Sequence, residues 1–172
     1  SVFLRRSLAA GGGKWSHSML VSALITGIAA VHYLYMRDAY AAMGDEGVTA
    51  FRYVDWILTV PLMCVEFYLI LQKAGAQKSL LWNMIFLSTV MLVTGYVGEA
   101  GLGNAAVWGG VSGAAYFAIC YILWFGSAGE LANKAGGAVL EAFTALKWFV
   151  LVGWAIYPIG YMAGTEGWYS GF

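Results

Sequence analysis

The chain has 172 residues, of which 61% are hydrophobic, 16% aromatic and only 10% charged, with nine basic and nine acidic side chains cancelling to a formal charge of zero. A soluble domain carries about a quarter charged residues, so a chain with a mean hydropathy of +0.72 cannot cover a water-facing surface and belongs in lipid. Disorder, collagen and nucleic-acid binding are excluded with it, because no basic excess is present to neutralise phosphates.

Only helices of about 20 residues, or closed barrels, satisfy their backbone inside a bilayer, and the apolar runs here are too long for barrel strands. They predict an all-α polytopic membrane bundle, read as one domain over residues 1–172. A stub, Ser1–Ala10, comes first; its SVFLRR reads as the last turns of a helix leaving the membrane. Spans follow at 16–40, 49–73, 78–100, 104–126 and 139–163, and the tail GTEGWYSGF reads as loop or interface. With no initiator Met and no signal-peptide pattern at the start, the expectation is a fragment of a longer protein.

Arg5, Arg6 and Lys14 precede the first full span, Lys73 and Lys78 separate the second and third, and Lys134 and Lys147 are assigned between the fourth and fifth. These connectors alternate, so all seven fall on one side, which the positive-inside tendency makes cytoplasmic. The other side holds Arg37 and Arg52 with Asp38, Asp45, Glu46, Glu99 and Glu166. Glycines dispersed through the spans, among them Gly95, Gly98, Gly109, Gly110 and Gly113, fit close helix packing. Trp15, Trp168 and Tyr169 fit an interfacial belt. Cys64 and Cys120 sit inside apolar stretches and make neither a disulfide framework nor a metal-ligand spacing.

The informative segment is RYVDWILTVPLMCVEFYLIL, residues 52–71. At about 100° per residue, Thr59 lies about 40° from Asp55, Glu66 about 20° and Arg52 about 60°, so all four share a face; the two acids stand about 16 Å apart along the axis. Ionisable groups at such depth are costly and mark ion or proton pathways. Asp55 could instead be held by Arg52 as a structural ion pair. Glu66 has no cationic neighbour within a turn, and desolvation favours its neutral acid. A neutral buried acid facing a buried carboxylate suits a relay, one group ready to give a proton and the other to take it. His32, mid-span in AAVHYLYMRD, reads either as a packing residue or as a partner of Asp55. Pro61 and Pro158 each remove a backbone donor and should kink their spans.

RYVDWILTVPLMCVEFYLIL and VGWAIYPIGYMAG closely resemble the third and sixth helices of microbial rhodopsins of the proteorhodopsin and xanthorhodopsin group, including the actinorhodopsins. HYLYMRD resembles that group's second helix and GYVGEAG the end of its fourth, and the likeness covers about residues 14–164. The resemblance implies the seven-helix retinal-protein fold, represented by helices two to six, and a light-driven outward proton pump using all-trans retinal.

It further implies that Asp55 is counterion of the protonated retinal Schiff base and primary proton acceptor, with Thr59 hydrogen-bonding near it. Glu66 becomes the cytoplasmic donor, Arg52 the extracellular gate and His32 the partner of Asp55. Trp56, Met91, Gly95, Tyr116, Trp154, Tyr157 and Pro158 match positions lining the retinal pocket. Met63 matches a colour-tuning position, where an apolar side chain goes with green absorption. Gly109 matches a glycine that leaves room for a carotenoid antenna, although a Gly-rich span would carry one for packing alone. The family's retinal-bearing lysine stands in a seventh helix, and Lys14, Lys73, Lys78, Lys134 and Lys147 all read as connector or cytoplasmic-end residues.

The partners expected are the bilayer and protons, with assembly as a homo-oligomer in the cell membrane of a bacterium. The rival reading is a sensory rhodopsin signalling to a membrane transducer, which usually lacks the carboxylic donor; Glu66 speaks against it. An intramembrane enzyme has no nucleophile-base constellation to support it.

Overall fold

The computed structural model describes residues 15–164. The stub with Arg5 and Arg6, Lys14, and the tail with Glu166, Trp168 and Tyr169 lie outside the described residues, as do the side chains of Asp45, Glu46 and Pro158.

The first helix, α1, runs Ser16–Met43 and the second, α2, Asp45–Leu71, with Gly44 alone between them. Gly44 has φ +70°, a left-handed conformation suited to glycine, and its N–H closes the end of α1 on the Tyr40 carbonyl at 2.9 Å. The chain thus reverses within one residue, where the sequence suggested a connector of eight. Pro61 sits inside α2, which stays helical through it. A 3-10 turn, Gln72–Ala74, leads to α3, Lys78–Glu99. The Asn104 side chain accepts from Val107 N at 3.1 Å and starts α4, Ala105–Trp124.

Two further features depart from the sequence reading. The stretch taken as a connector before residue 139 contains α5, Ser127–Ala135, which buries Ala128, Gly129 and Ala132 and exposes Glu130 and Lys134. A Cβ at Gly129 would come within 2.9 Å of the Leu123 carbonyl oxygen and 3.0 Å of that of Trp124, so only glycine lets α5 fold back so closely on the end of α4. The span read as 139–163 is in two pieces, α6 (Gly137–Trp148) and α7 (Trp154–Gly164), joined by a π-helical turn at Phe149–Gly153. Lys147 therefore lies inside α6, with its ammonium 4.2 Å above the Trp124 ring.

Five helical segments are long and apolar enough to cross a membrane. The span on α2 is the central one: half of it is buried, against 11% for the first and last. The core gathers Met63, Phe67 and Leu71 of α2 with Met84 of α3, Ile119 and Leu123 of α4, and Phe143 of α6. Phe67 and Phe143 meet edge to face at 5.5 Å. Trp82 and Phe86 of α3, Phe117 and Tyr121 of α4, and Phe125 at the end of α4 face outward, as lipid-exposed side chains do. Lipid tails are as apolar as leucine, so shape fit holds such a core together.

Candidate functional site

Five polar or charged side chains are buried among the described residues, and three of them, Asp55, Thr59 and Glu66, stand on one face of α2. The other two satisfy themselves locally: Ser88 donates to Ile85 O at 2.8 Å and Thr94 to Val90 O at 2.7 Å. The stripe on α2 is different, because its carboxyl groups look to other helices.

Asp55 is 2% exposed. His32 of α1 brings Nδ1 to 3.5 Å from Asp55 Oδ1, while the same nitrogen lies 3.0 Å from Ile28 O. That Asp55 oxygen is buried without a hydrogen-bond partner among the described residues. Thr59 donates to the backbone carbonyl of Asp55 at 3.0 Å, leaving the carboxylate to other donors.

The Arg52–Asp55 ion pair allowed by the helical spacing does not form. Arg52 turns to α3 and pairs with Glu99, and its Nη2 also donates to Thr49 Oγ1 at 3.0 Å. At one helical turn from Asp55 the guanidinium can reach either way, and the Glu99 carboxylate at the end of α3 captures it together with the Thr49 hydroxyl.

At the lysine-bearing end, Ser22 of α1 donates to Glu66 Oε1, and Ser18 stands one turn earlier on α1. Neither serine was singled out in the sequence. A signal was there: His32 and Ser22 are ten residues apart, about 15 Å, and Asp55 and Glu66 about 16 Å. On antiparallel helices that spacing lets both pairs meet at once.

Aromatic rings close the middle of the site. Trp56 meets Tyr157 at 4.4 Å and Tyr53 at 5.0 Å, both edge to face. The Tyr157 and Tyr33 hydroxyls are 3.1 Å apart. Across the helix α3–α4 seam, Ser112 donates to Met91 O at 2.7 Å, and a Cβ at Gly95 would stand 3.0 Å from Tyr53 Oη and 3.2 Å from Ser112 Oγ, so glycine admits both hydroxyls. Met63 is buried, Trp154 packs on the core, and Tyr116 donates its hydroxyl to Leu151 O at 2.6 Å. Gly109 is half-buried on α4, and its neighbours Gly110 and Gly113 have open space where a Cβ would stand. Pro158 lies in α7, its side chain outside those described. Lys73, Lys78 and Lys134 sit at helix ends away from these rings.

Residues 2–169 match the family model described as bacteriorhodopsin-like protein. The chain belongs to that family. Within the bacteriorhodopsin-like proteins it is 45% identical over 154 residues to a green-light absorbing proteorhodopsin of Gamma-proteobacterium EBAC31A08, covering 88% of this chain and 61% of that one. It is equally similar to a blue-light absorbing proteorhodopsin of Gamma-proteobacterium Hot 75m4, 45% over 152 residues, 88% of this chain and 60% of that one. The chain thus spans about three fifths of the length of these curated relatives. A crystal structure of a blue light-absorbing proteorhodopsin from Med12 superimposes with a TM-score of 0.76 at 40% identity, over 96% of this chain and 75% of that one. Exiguobacterium sibiricum rhodopsin does so with a TM-score of 0.78 at 30% identity, over 93% and 73%. The bundle is therefore that of the seven-helix rhodopsins, and the protein is a multi-pass membrane protein.

Proposed function

We propose that this chain forms the proton-conducting part of a light-driven outward proton pump that uses all-trans retinal. The observation that carries the reading is the α2 stripe: two buried carboxyl groups about 16 Å apart on one helix face, Asp55 toward the Arg52 end and Glu66 toward the lysine-bearing end. The positive-inside tendency makes the lysine-bearing end cytoplasmic, so Glu66 stands inside and Asp55 outside.

Asp55 Oδ1, buried and without a hydrogen-bond partner among the described residues, is the test of fit for the chromophore. A buried carboxylate oxygen left without a hydrogen-bond donor is suited to a cationic group carried by a long apolar ligand. Retinal, bound through a protonated Schiff base, supplies the cation and the light-driven change in its geometry. Asp55 holds that charge at rest and takes a proton on its carboxylate. His32, with Nδ1 3.5 Å from Asp55 Oδ1, is its neighbour on α1. Arg52, tied to Glu99, supplies positive charge to the outer half. Glu66, held by the Ser22 hydroxyl, is the acid that returns a proton from the inner half.

Trp56, Met63, Met91, Gly95, Tyr116, Trp154, Tyr157 and Pro158 line the pocket in this reading, and the open space beside Gly110 and Gly113 leaves room near Gly109 for a carotenoid ring. The protein acts as an ion-translocating photoreceptor in the cell membrane of a bacterium, assembled as a homo-oligomer. The direct test is light-driven acidification of a lightly buffered suspension of cells that make the full-length protein carrying this sequence, supplied with all-trans retinal. Acidification abolished by a protonophore is expected; no light-dependent pH change, or alkalinisation, would remove the reading.

A further inference from the structure

The π turn at Phe149–Gly153 stands one residue before Trp154, and a side chain from another helix is hydrogen-bonded into it. In a regular α-helix continued from Phe143, Val150, Trp154 and Tyr157 would all lie within about 40° of the Phe143 face. A π turn takes up one residue more than an α turn, so side chains beyond it are rotated by about 100° relative to those before it. Phe143 and Val150, on the α6 side, are fully buried in the core, whereas Tyr157 on the α7 side reaches the Trp56 ring and the Tyr33 hydroxyl. The turn therefore decides which face of α7 meets α2.

Wide turns are rare and occur mostly as single π-bulges inside α-helices, where the interrupted ladder leaves a carbonyl open to a side chain from elsewhere. Tyr116 is 5% exposed, lies in the core cluster on α4 and donates to the Leu151 carbonyl at 2.6 Å, in the middle of the turn. Phe149 and Val152 point outward and contribute nothing to the core. Val150 packing on one side and the Tyr116 hydroxyl on the other are what hold this turn.

We propose that Tyr116 is a positioning residue: its hydroxyl, through the Leu151 carbonyl, holds the π turn and so sets the rotation of Trp154 and Tyr157 against Trp56. The consequence for colour rests on the retinal reading above; the backbone effect does not. Tyr116→Phe keeps the ring and removes only the hydroxyl, so a role in packing alone would leave it silent.

The test is amide hydrogen exchange of the full-length protein carrying this sequence, in lipid nanodiscs, with and without all-trans retinal. In Tyr116→Phe the amides of 152–157 are expected to exchange about five- to tenfold faster, the effect of losing one net hydrogen bond, while amides of α3 stay unchanged. In the retinal-bound sample the absorption maximum shifts as well. Deleting Val152 converts the turn to a regular helix without changing the rotation of α7, and in that background Tyr116→Phe is expected to lose its effect on exchange. Unchanged exchange at 152–157 in Tyr116→Phe, or an equal effect after the deletion, would overturn the proposal; if the deletion variant does not fold, the single substitution decides alone. A protein that takes up no retinal would refute the pump reading while the exchange result still stands or falls by itself.

Discussion

Replacing Glu66 by Gln separates a proton donor from a structural acid. Gln keeps the shape of the side chain and can still accept from Ser22, so the α1–α2 contact survives. Glu66 rests as the neutral acid in this reading, so the change removes a proton and no charge. Even a full unit charge at about 16 Å is felt by about 1 kcal/mol at an effective dielectric of 20, so the resting colour should stay where it is. The kinetics should not. An internal donor delivers its proton in a first-order step whose rate is independent of bulk pH, whereas a site without one must collect protons from water. Its recovery rate then follows the proton concentration, about tenfold per pH unit and about a hundredfold between pH 6 and pH 8. The assay is flash photolysis of the retinal-loaded full-length protein across that range, beside the unaltered protein. A Glu66→Gln variant whose recovery is as fast and as flat with pH as the parent would refute the donor assignment and return Glu66 to a structural role with Ser22.

Asp55→Asn removes the carboxylate that stabilises the cation, so the absorption should move to the red and light-driven acidification should stop; continued acidification would mean that the acceptor and the direction of pumping are both misassigned. Glu99→Gln leaves the Arg52 guanidinium without its ion pair and should cost about 1 kcal/mol in unfolding by sodium dodecyl sulfate titration, because the pair is partly exposed and screened; Glu99→Asp should recover part of it. Phe143→Ala opens a cavity against Phe67 at a fully buried position. Since lipid is as apolar as the core, only the packing part of the usual penalty applies, about 1–3 kcal/mol in the same titration. An unchanged midpoint would show that α6 is not locked onto α2.

The sequence by itself determined the spans and the stripe. Both follow from local rules: a bilayer demands about 20 apolar residues per helix, and the 3.6-residue period alone places Arg52, Asp55, Thr59 and Glu66 on one face. It also identified the family through those same residues. Tertiary structure decided the partners. Arg52 and Glu99 are 47 residues apart, and Ser22 and Glu66 are 44 apart. Which of two carboxylates captures a guanidinium depends on how neighbouring helices are rotated about their axes, and no periodicity within one helix carries that angle. The same holds for α5, whose Gly129 matters only because the chain folds back on the carbonyls at the end of α4, and for the π turn before Trp154. A stretch such as FVLVG reads as an ordinary piece of apolar helix; it becomes a wide turn where a buried tyrosine from another helix reaches its carbonyl and where the core has already fixed the side chains before it.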